Sequence, residues 1–153
     1  MLELSRAVYA DELVFINLIV NYFLILAAAF ISRTEFSRKR VLLGAVVGAI
    51  SSLIIFIPAV HIALSVLIKL ILSALIVMCS FENKSVMQFF RRYMTFFLVN
   101  FIFAGIMLAV WFTLKPEGMV YNNGALYFDI NAVMLVTMTA VCYVIVTVVS
   151  KLL

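Results

Sequence analysis

Apolar residues fall into five long runs, at 13–31, 41–57, 62–81, 93–114 and 130–149, separated by short stretches that hold most of the charge. Each run is close to the roughly 20 residues an α-helix needs to cross about 30 Å of hydrocarbon. None alternates apolar and polar positions as a barrel strand would. The pattern predicts an all-α polytopic membrane protein, a bundle of five transmembrane helices over residues 10–31, 41–57, 62–81, 93–114 and 130–150, in a single domain 1–153. Runs two and three are nearly continuous. Pro58 divides them and cannot continue a helical hydrogen-bond ladder. A tight turn is expected at Pro58, Ala59, Val60 and His61.

Composition agrees with the pattern. The 153 residues are 67% hydrophobic and 12% charged, against roughly 45–50% and about 25% in soluble domains. A water-soluble fold of this size has no interior large enough for so much apolar surface. The net charge of +4 does not point to nucleic acid, because the cations sit in clusters beside the apolar runs. Arg33, Arg38, Lys39 and Arg40 lie between runs one and two. Lys84, Arg91 and Arg92 lie between runs three and four, and Lys151 follows run five, while Arg6 and Lys115 fall on the other side. The excess of Lys and Arg in alternate loops predicts an N-terminus outside and a C-terminus in the cytoplasm. Five crossings reproduce that alternation. The residues before the first run, Glu3, Arg6, Asp11 and Glu12, do not form a basic leader, so the run is expected to be retained.

Two loops carry further signals. Phe89, Phe90, Arg91 and Arg92 precede the fourth run and are expected to lie along the interface, arginines toward anionic headgroups. The outer loop 115–128 contains Asn122, Asn123 and Gly124, a turn signal. Its flanks allow a small hairpin, but the plainer reading, an interfacial loop anchored by Tyr121 and Tyr127, takes precedence. Asp129 is then placed to cap helix five.

Polar residues inside the runs are the candidates for chemistry, since lipid makes them costly. Lys69 lies eight residues past His61, about 12 Å deep at about 1.5 Å per residue. Asn17 and Asn21 bracket that depth, and their i, i+4 spacing puts them on one helix face. Lys69 is expected to donate to both amides and to reach toward Asp11, with Asn100 a further member of this intramembrane polar cluster. A packing clamp is the plain reading of the cluster, and a proton or ion path the sharper one. Gly44, Gly48 and Ser52 form a small-residue stripe that, with Gly105, is expected to serve helix packing rather than a dimer interface.

The enzymatic signals are negative. There is no HExxH zinc motif and no GxSxG elbow. His61 has no partner Ser or Cys signature, and Cys79 and Cys142 read as small apolar helix residues. Asp11 and Asp129 sit at helix starts, where dipole capping explains them better than an aspartyl pair. No metal and no cofactor are expected.

Several stretches resemble the sporulation sigma-E factor-processing peptidase family. They are Tyr9-x-Asp11-x5-Asn17-x3-Asn21-x2-Leu24 in the first helix, Arg40-x3-Gly44-Ala45-x2-Gly48 in the second and Lys69 in the third. The outer loop adds Asn123-Gly124-x2-Tyr127-x-Asp129-Ile130. Asn21 stands where many members carry Asp, and Ala104-Gly105 where two glycines are expected. The resemblance implies a five-helix membrane domain that precedes a cytoplasmic aspartic-peptidase domain. The Asp-[Ser/Thr]-Gly motif of that peptidase domain occurs nowhere in these residues, so this chain is expected to be inactive alone.

The resemblance also implies a role. The chain would be the membrane anchor and signal-receiving domain of an endopeptidase that activates pro-sigma-E by proteolysis. It would lie in the septum facing the mother cell, with Tyr121, Asn122, Asn123, Gly124, Tyr127 and Asp129 as the outer signal loop. Its expected partners are the bilayer, a secreted signalling protein on the outer face, pro-sigma-E through the peptidase domain, and a second copy of itself. The residues alone also allow a small transporter or channel subunit, or a membrane scaffold.

Overall fold

A computed structural model describes residues 2–56, 61–114, 119–122, 125–128 and 132–152. Its elements are α1 (Leu2–Ile31), α2 (Arg38–Ser51) continued by a 3₁₀ segment (Ser52–Phe56), α3 (Ile62–Ser80), α4 (Val86–Leu114), β1 (Met119–Asn122), β2 (Ala125–Phe128) and α5 (Ala132–Leu152). Among the described residues, three stretches are long and apolar enough to cross a membrane: Ala10–Ile31, Ile62–Ser80 and Val86–Ala109.

α1 is the axis of the bundle and packs against α2, α4 and α5. Its lower half carries Leu24, Ile25, Leu26, Ala27, Ala28 and Ala29, all buried. Three consecutive alanines bring neighbouring backbones close on several sides at once, and small residues are what lipid-embedded helices use for that purpose. Val41, Ala45, Ile76, Val77, Phe81, Phe96 and Val99 complete the core from α2, α3, α4 and the α3–α4 link. α5 joins through Tyr143, whose ring lies 5.4 Å from Phe23 and 6.0 Å from Phe30. Large apolar side chains remain on the outside of α2, α3, α4 and α5. A surface of that kind suits acyl chains, not water.

α2 is a wedge between α1 and α3. A Cβ on Gly44 would stand 3.1 Å from the Ile76 carbonyl oxygen and closer still to Ser80 Oγ on α3. A Cβ on Gly48 would meet the Asn21 carboxamide of α1 at 2.6–2.9 Å. The stripe is therefore spent on two neighbours inside the chain. Gly105 differs, because a Cβ there would have nothing within 4 Å.

Several boundaries depart from the apolar runs. α1 begins at Leu2, eight residues before the expected start. α4 begins at Val86, so Phe89, Phe90, Arg91 and Arg92 are the first turns of one continuous helix and not a separate interfacial segment. Ser85 explains this start: its hydroxyl accepts from the Gln88 amide at 3.3 Å, and no Gly or Pro falls between it and Ala104. The second run is α-helical only to Ser51. There the Ser51 and Ser52 hydroxyls bond back to the Gly48 and Ala49 carbonyls at 2.6 Å each. Such back-bonding competes with the helical ladder, and the chain tightens into a 3₁₀ segment. The two pieces together extend roughly 31 Å, still the thickness of a bilayer core. The turn expected at Pro58 lies outside the described residues. His61 caps α3, its Nδ1 accepting from the Ala63 amide at 3.4 Å.

The outer loop is the other departure. It is an antiparallel hairpin with Met119 opposite Phe128, Val120 opposite Tyr127, Tyr121 opposite Leu126 and Asn122 opposite Ala125. The small hairpin, the second of the two expectations for this loop, is the one the backbone adopts.

α1 closes with a Schellman motif. Arg33 donates its amide to the Phe30 carbonyl at 3.2 Å and Thr34 donates to Ala29 at 3.0 Å. The residue in the left-handed position is Arg33, with φ at 50°. Glycine is the usual occupant of that position.

The three glycine environments predict a graded response to alanine. Gly44→Ala should destabilise the purified protein in detergent by about 1–3 kcal/mol through overpacking against Ser80 and Ile76. Gly48→Ala should cost less than that, because the Asn21 side chain can rotate away. Gly105→Ala should be neutral or stabilising by up to about 1 kcal/mol. Thermal unfolding of the three variants checks the order, and equal responses would refute it.

A polar cavity between three helices

Most polar side chains in the apolar stretches satisfy themselves first. Asn17 Nδ2 donates to the Leu13 carbonyl at 2.8 Å, Asn21 Nδ2 to Asn17 at 2.8 Å and Asn100 Nδ2 to Phe96 at 2.8 Å. Ser73 Oγ donates to Lys69 at 2.7 Å and Ser80 Oγ to Ile76 at 2.7 Å. Each bond reaches one helical turn back along the same helix. It occupies a donor and leaves the side chain presenting acceptor lone pairs.

Two of those side chains, Ser73 and Asn100, come together with Ser51 and Lys69. A cavity of about 310 Å³ lies between the end of α2, the middle of α3 and the middle of α4. Ser51, Lys69, Ser73 and Asn100 supply its polar lining, beside Phe96 and Phe97. Lys69 and Ser73 share a face of α3 by their i, i+4 spacing, as Phe96 and Asn100 do on α4. An ammonium offers only donors, whereas Ser51, Ser73 and Asn100 have committed donors of their own to main-chain carbonyls. The two sets are complementary. Beside the cavity, Tyr93 Oη donates to the Leu70 carbonyl at 3.1 Å and ties α4 to α3. Its ring stacks on Phe89 and meets Phe97 edge-on, with centroids 5.8 and 4.9 Å away.

The members of the expected polar cluster occupy different places. Lys69 and Asn100 line the cavity together, and Asn17 and Asn21 do not line it. Asn21 instead lies on Gly48, between α1 and α2. Asp11 is exposed on α1. Ser52 begins the 3₁₀ segment. In the outer loop, Tyr121 and Asn122 belong to β1 and Tyr127 to β2. Asn123, Gly124 and Asp129 lie outside the described residues. Sequence reasoning passed over Ser51, Ser73 and Tyr93. Ser73 had a signal, since it follows Lys69 by one helical turn, but Ser51 and Tyr93 reach their neighbours only through the fold. Among the described residues no group of three or more His, Cys, Asp and Glu could hold a metal ion.

Comparison with known proteins decides the lineage. Residues 7–153 match the family described as Sporulation factor SpoIIGA. The chain belongs to that family. This agrees with the resemblance read from the first helix, the glycine stripe and the outer loop. Among SpoIIGA relatives, a protein of Priestia megaterium is 26% identical over 116 residues and one of Bacillus subtilis 27% identical over 116 residues. Both are named sporulation sigma-E factor-processing peptidase. Each comparison takes in 76% of this chain but 38% of the relative, so the chain spans well under half the length of the curated proteins it matches. No solved structure matches.

The cavity predicts energetic coupling between Lys69 and Asn100. Asn100→Leu should destabilise the native protein more than it does in a Lys69→Met background. A double-mutant cycle of unfolding in detergent should return about 0.5–1.7 kcal/mol. A coupling indistinguishable from zero would separate the two residues.

Proposed function

We propose that this chain is the membrane anchor and signal-receiving domain of a sigma-E factor-processing peptidase, spanning the bacterial cell membrane five times with its N-terminus outside and its C-terminus in the cytoplasm. The observation that carries the orientation is the gathering of cations at one end of the bundle. Arg33, Lys84, Arg91 and Arg92 surround a single cavity there, and Arg40 pairs with Glu82 at 3.5 Å beside it. Such an end belongs on the cytoplasmic side. The family match over residues 7–153 and the names of the relatives support the peptidase assignment.

In this reading the β1–β2 hairpin faces the space outside, where a secreted protein is sensed. The Lys69 and Asn100 cavity and the Asn21–Gly48 contact form the polar interior that fixes helix packing, with Asn17 and Asp11 above them. A peptidase domain on the cytoplasmic side, paired across two copies, cleaves pro-sigma-E. A ligand at the hairpin acts only through different affinities for two packing states of the bundle.

A second reading has one observation in its favour. The 3₁₀ end of α2 borders the Lys69 cavity, and interrupted helices beside polar cavities are a feature of transporters. Ion or proton flux in proteoliposomes, abolished by Lys69→Met, would favour that reading over the anchor.

Two measurements test the proposal. Single cysteines at Asn122 and Ser37, in a background with Cys79 and Cys142 changed to Ser, should differ in their reaction with a membrane-impermeant maleimide applied to intact cells. Asn122→Cys should label and Ser37→Cys should not, and the reverse pattern would invert the topology. In the full-length protein, replacing residues 115–128 with a Gly/Ser segment should abolish signal-dependent pro-sigma-E processing without loss of the protein from the membrane. Undiminished processing would remove the hairpin from the mechanism.

A further inference from the structure

The three membrane-capable stretches end or begin at one level: two stop at Ile31 and Ser80, and the third starts at Val86. Immediately beyond that level is a cavity of about 350 Å³, lined by residues of the α1–α2 and α3–α4 links and the first turns of α4. Four cations line it, Arg33, Lys84, Arg91 and Arg92, against two carboxylates, Glu35 and Glu82. The carboxylates do not neutralise it. Glu82 is paired with Arg40, and this is the only salt bridge among the described residues. Arg92 is committed to the protein, donating to the Glu82 carbonyl and to Asn83 Oδ1, and its guanidinium lies over the Phe81 ring. That arrangement braces the α3–α4 link and leaves Arg33, Lys84 and Arg91 for an external anion.

Two further observations say what kind of anion. The first is Arg33 itself. It holds the left-handed position of the α1 Schellman motif, where a glycine relieves strain. An arginine kept there against its own conformational preference is accounted for by what its side chain does, and the side chain lines this cavity. The second is the apolar surface next to the cations. Val86 is 85% exposed, Met87 77% and Phe90 55%, all on the first turns of α4. Water gives those side chains no reason to be outside, whereas the boundary between headgroups and acyl chains does.

We propose that this cavity is a binding site for the phosphate of an anionic phospholipid headgroup, with Arg33, Lys84 and Arg91 on the phosphate oxygens and Val86, Met87 and Phe90 against the acyl chains. A guanidinium fork suits a phosphate, since it presents paired donors to paired oxygens. Free inorganic phosphate carries the same oxygens without the chains, and the acyl contacts separate the two sources. The inference requires that these helices sit in lipid and does not depend on the peptidase assignment.

The test is thermal unfolding of the full chain, purified in a neutral detergent, with phosphatidylglycerol, phosphatidylcholine or inorganic phosphate added. Phosphatidylglycerol near a hundredfold excess over its Kd should raise Tm by roughly 5–10 °C. Phosphatidylcholine and inorganic phosphate should raise it far less. Arg33→Gly is the decisive variant because glycine suits the left-handed backbone. Its lipid-free Tm should equal or exceed that of the native chain, while its response to phosphatidylglycerol falls by at least half. Arg91→Gln should lose the response similarly, and Arg38→Ala, an exposed cation of α2 outside the cavity, should keep it. An undiminished response in both Arg33→Gly and Arg91→Gln overturns the site. An equal loss in Arg38→Ala overturns it too, in favour of diffuse surface charge. A full response to inorganic phosphate alone overturns the lipid source.

Discussion

The bundle is governed by the absence of water around its polar side chains. In hydrocarbon a donor without an acceptor costs several kcal/mol. The chain meets that constraint locally: Asn17, Asn21, Ser51, Ser52, Ser73, Ser80 and Asn100 each donate to a carbonyl three or four residues earlier in their own helix. Each of these side chains thus has a donor satisfied within its own helix. What remains is a set of acceptors facing neighbouring helices, and Lys69 is placed among three of them. The polar interior follows from this, because hydroxyls that have used their donors and the amide oxygen of Asn100 complement a side chain that has only donors.

The same local bonding shapes the backbone. At Ser51 and Ser52 two consecutive hydroxyls draw on the Gly48 and Ala49 carbonyls, and the α-helix gives way to 3₁₀ at that point. Just before it, Gly48 admits the Asn21 carboxamide, and one turn earlier Gly44 admits Ser80. α2 is thereby pinned to α1 and α3 through small residues on its first three turns. Its last turn is the one that borders the cavity. The helix with the least apolar length of its own is held by close approach rather than by large side chains.

The five helices were legible in the apolar runs because each run is continuous and long enough to hold one. Element ends were less legible, since a helix does not stop where its apolar run stops. Ser85 starts α4 seven residues before the apolar run at 93, and the amphipathic turns between them look like a linker when only hydropathy is read. The strategic polar residues were legible as single positions, Lys69, Asn100, Asn17 and Asn21. Their grouping was not. Depth along a helix can be counted from a sequence, but the azimuth at which each helix meets its neighbours depends on crossing angles fixed by Gly44, Gly48 and the Ala27–Ala29 surface. Arg33 shows a different limit. Its left-handed backbone is a property of a helix end that any residue type can be forced to occupy, and nothing in the letters around it announces the motif.

The contacts also determine how a movement of one helix reaches the others. α5 is held to α1 by Tyr143, whose ring lies by Phe23 and Phe30. α4 and α5 touch one another less than each touches α1. A displacement of α5 therefore reaches the rest of the bundle mainly through α1, whose three consecutive alanines are all buried. α1 in turn ends in the strained Arg33 turn, at the same level as the basic cavity. Packed alanines leave no slack for a small shift to be absorbed. An α1 that slides or turns under α5 must carry its terminal turn with it, and that turn holds one of the cations lining the cavity. α5 and the basic end are thus joined by a single helix, α1, so a movement of one is carried to the other.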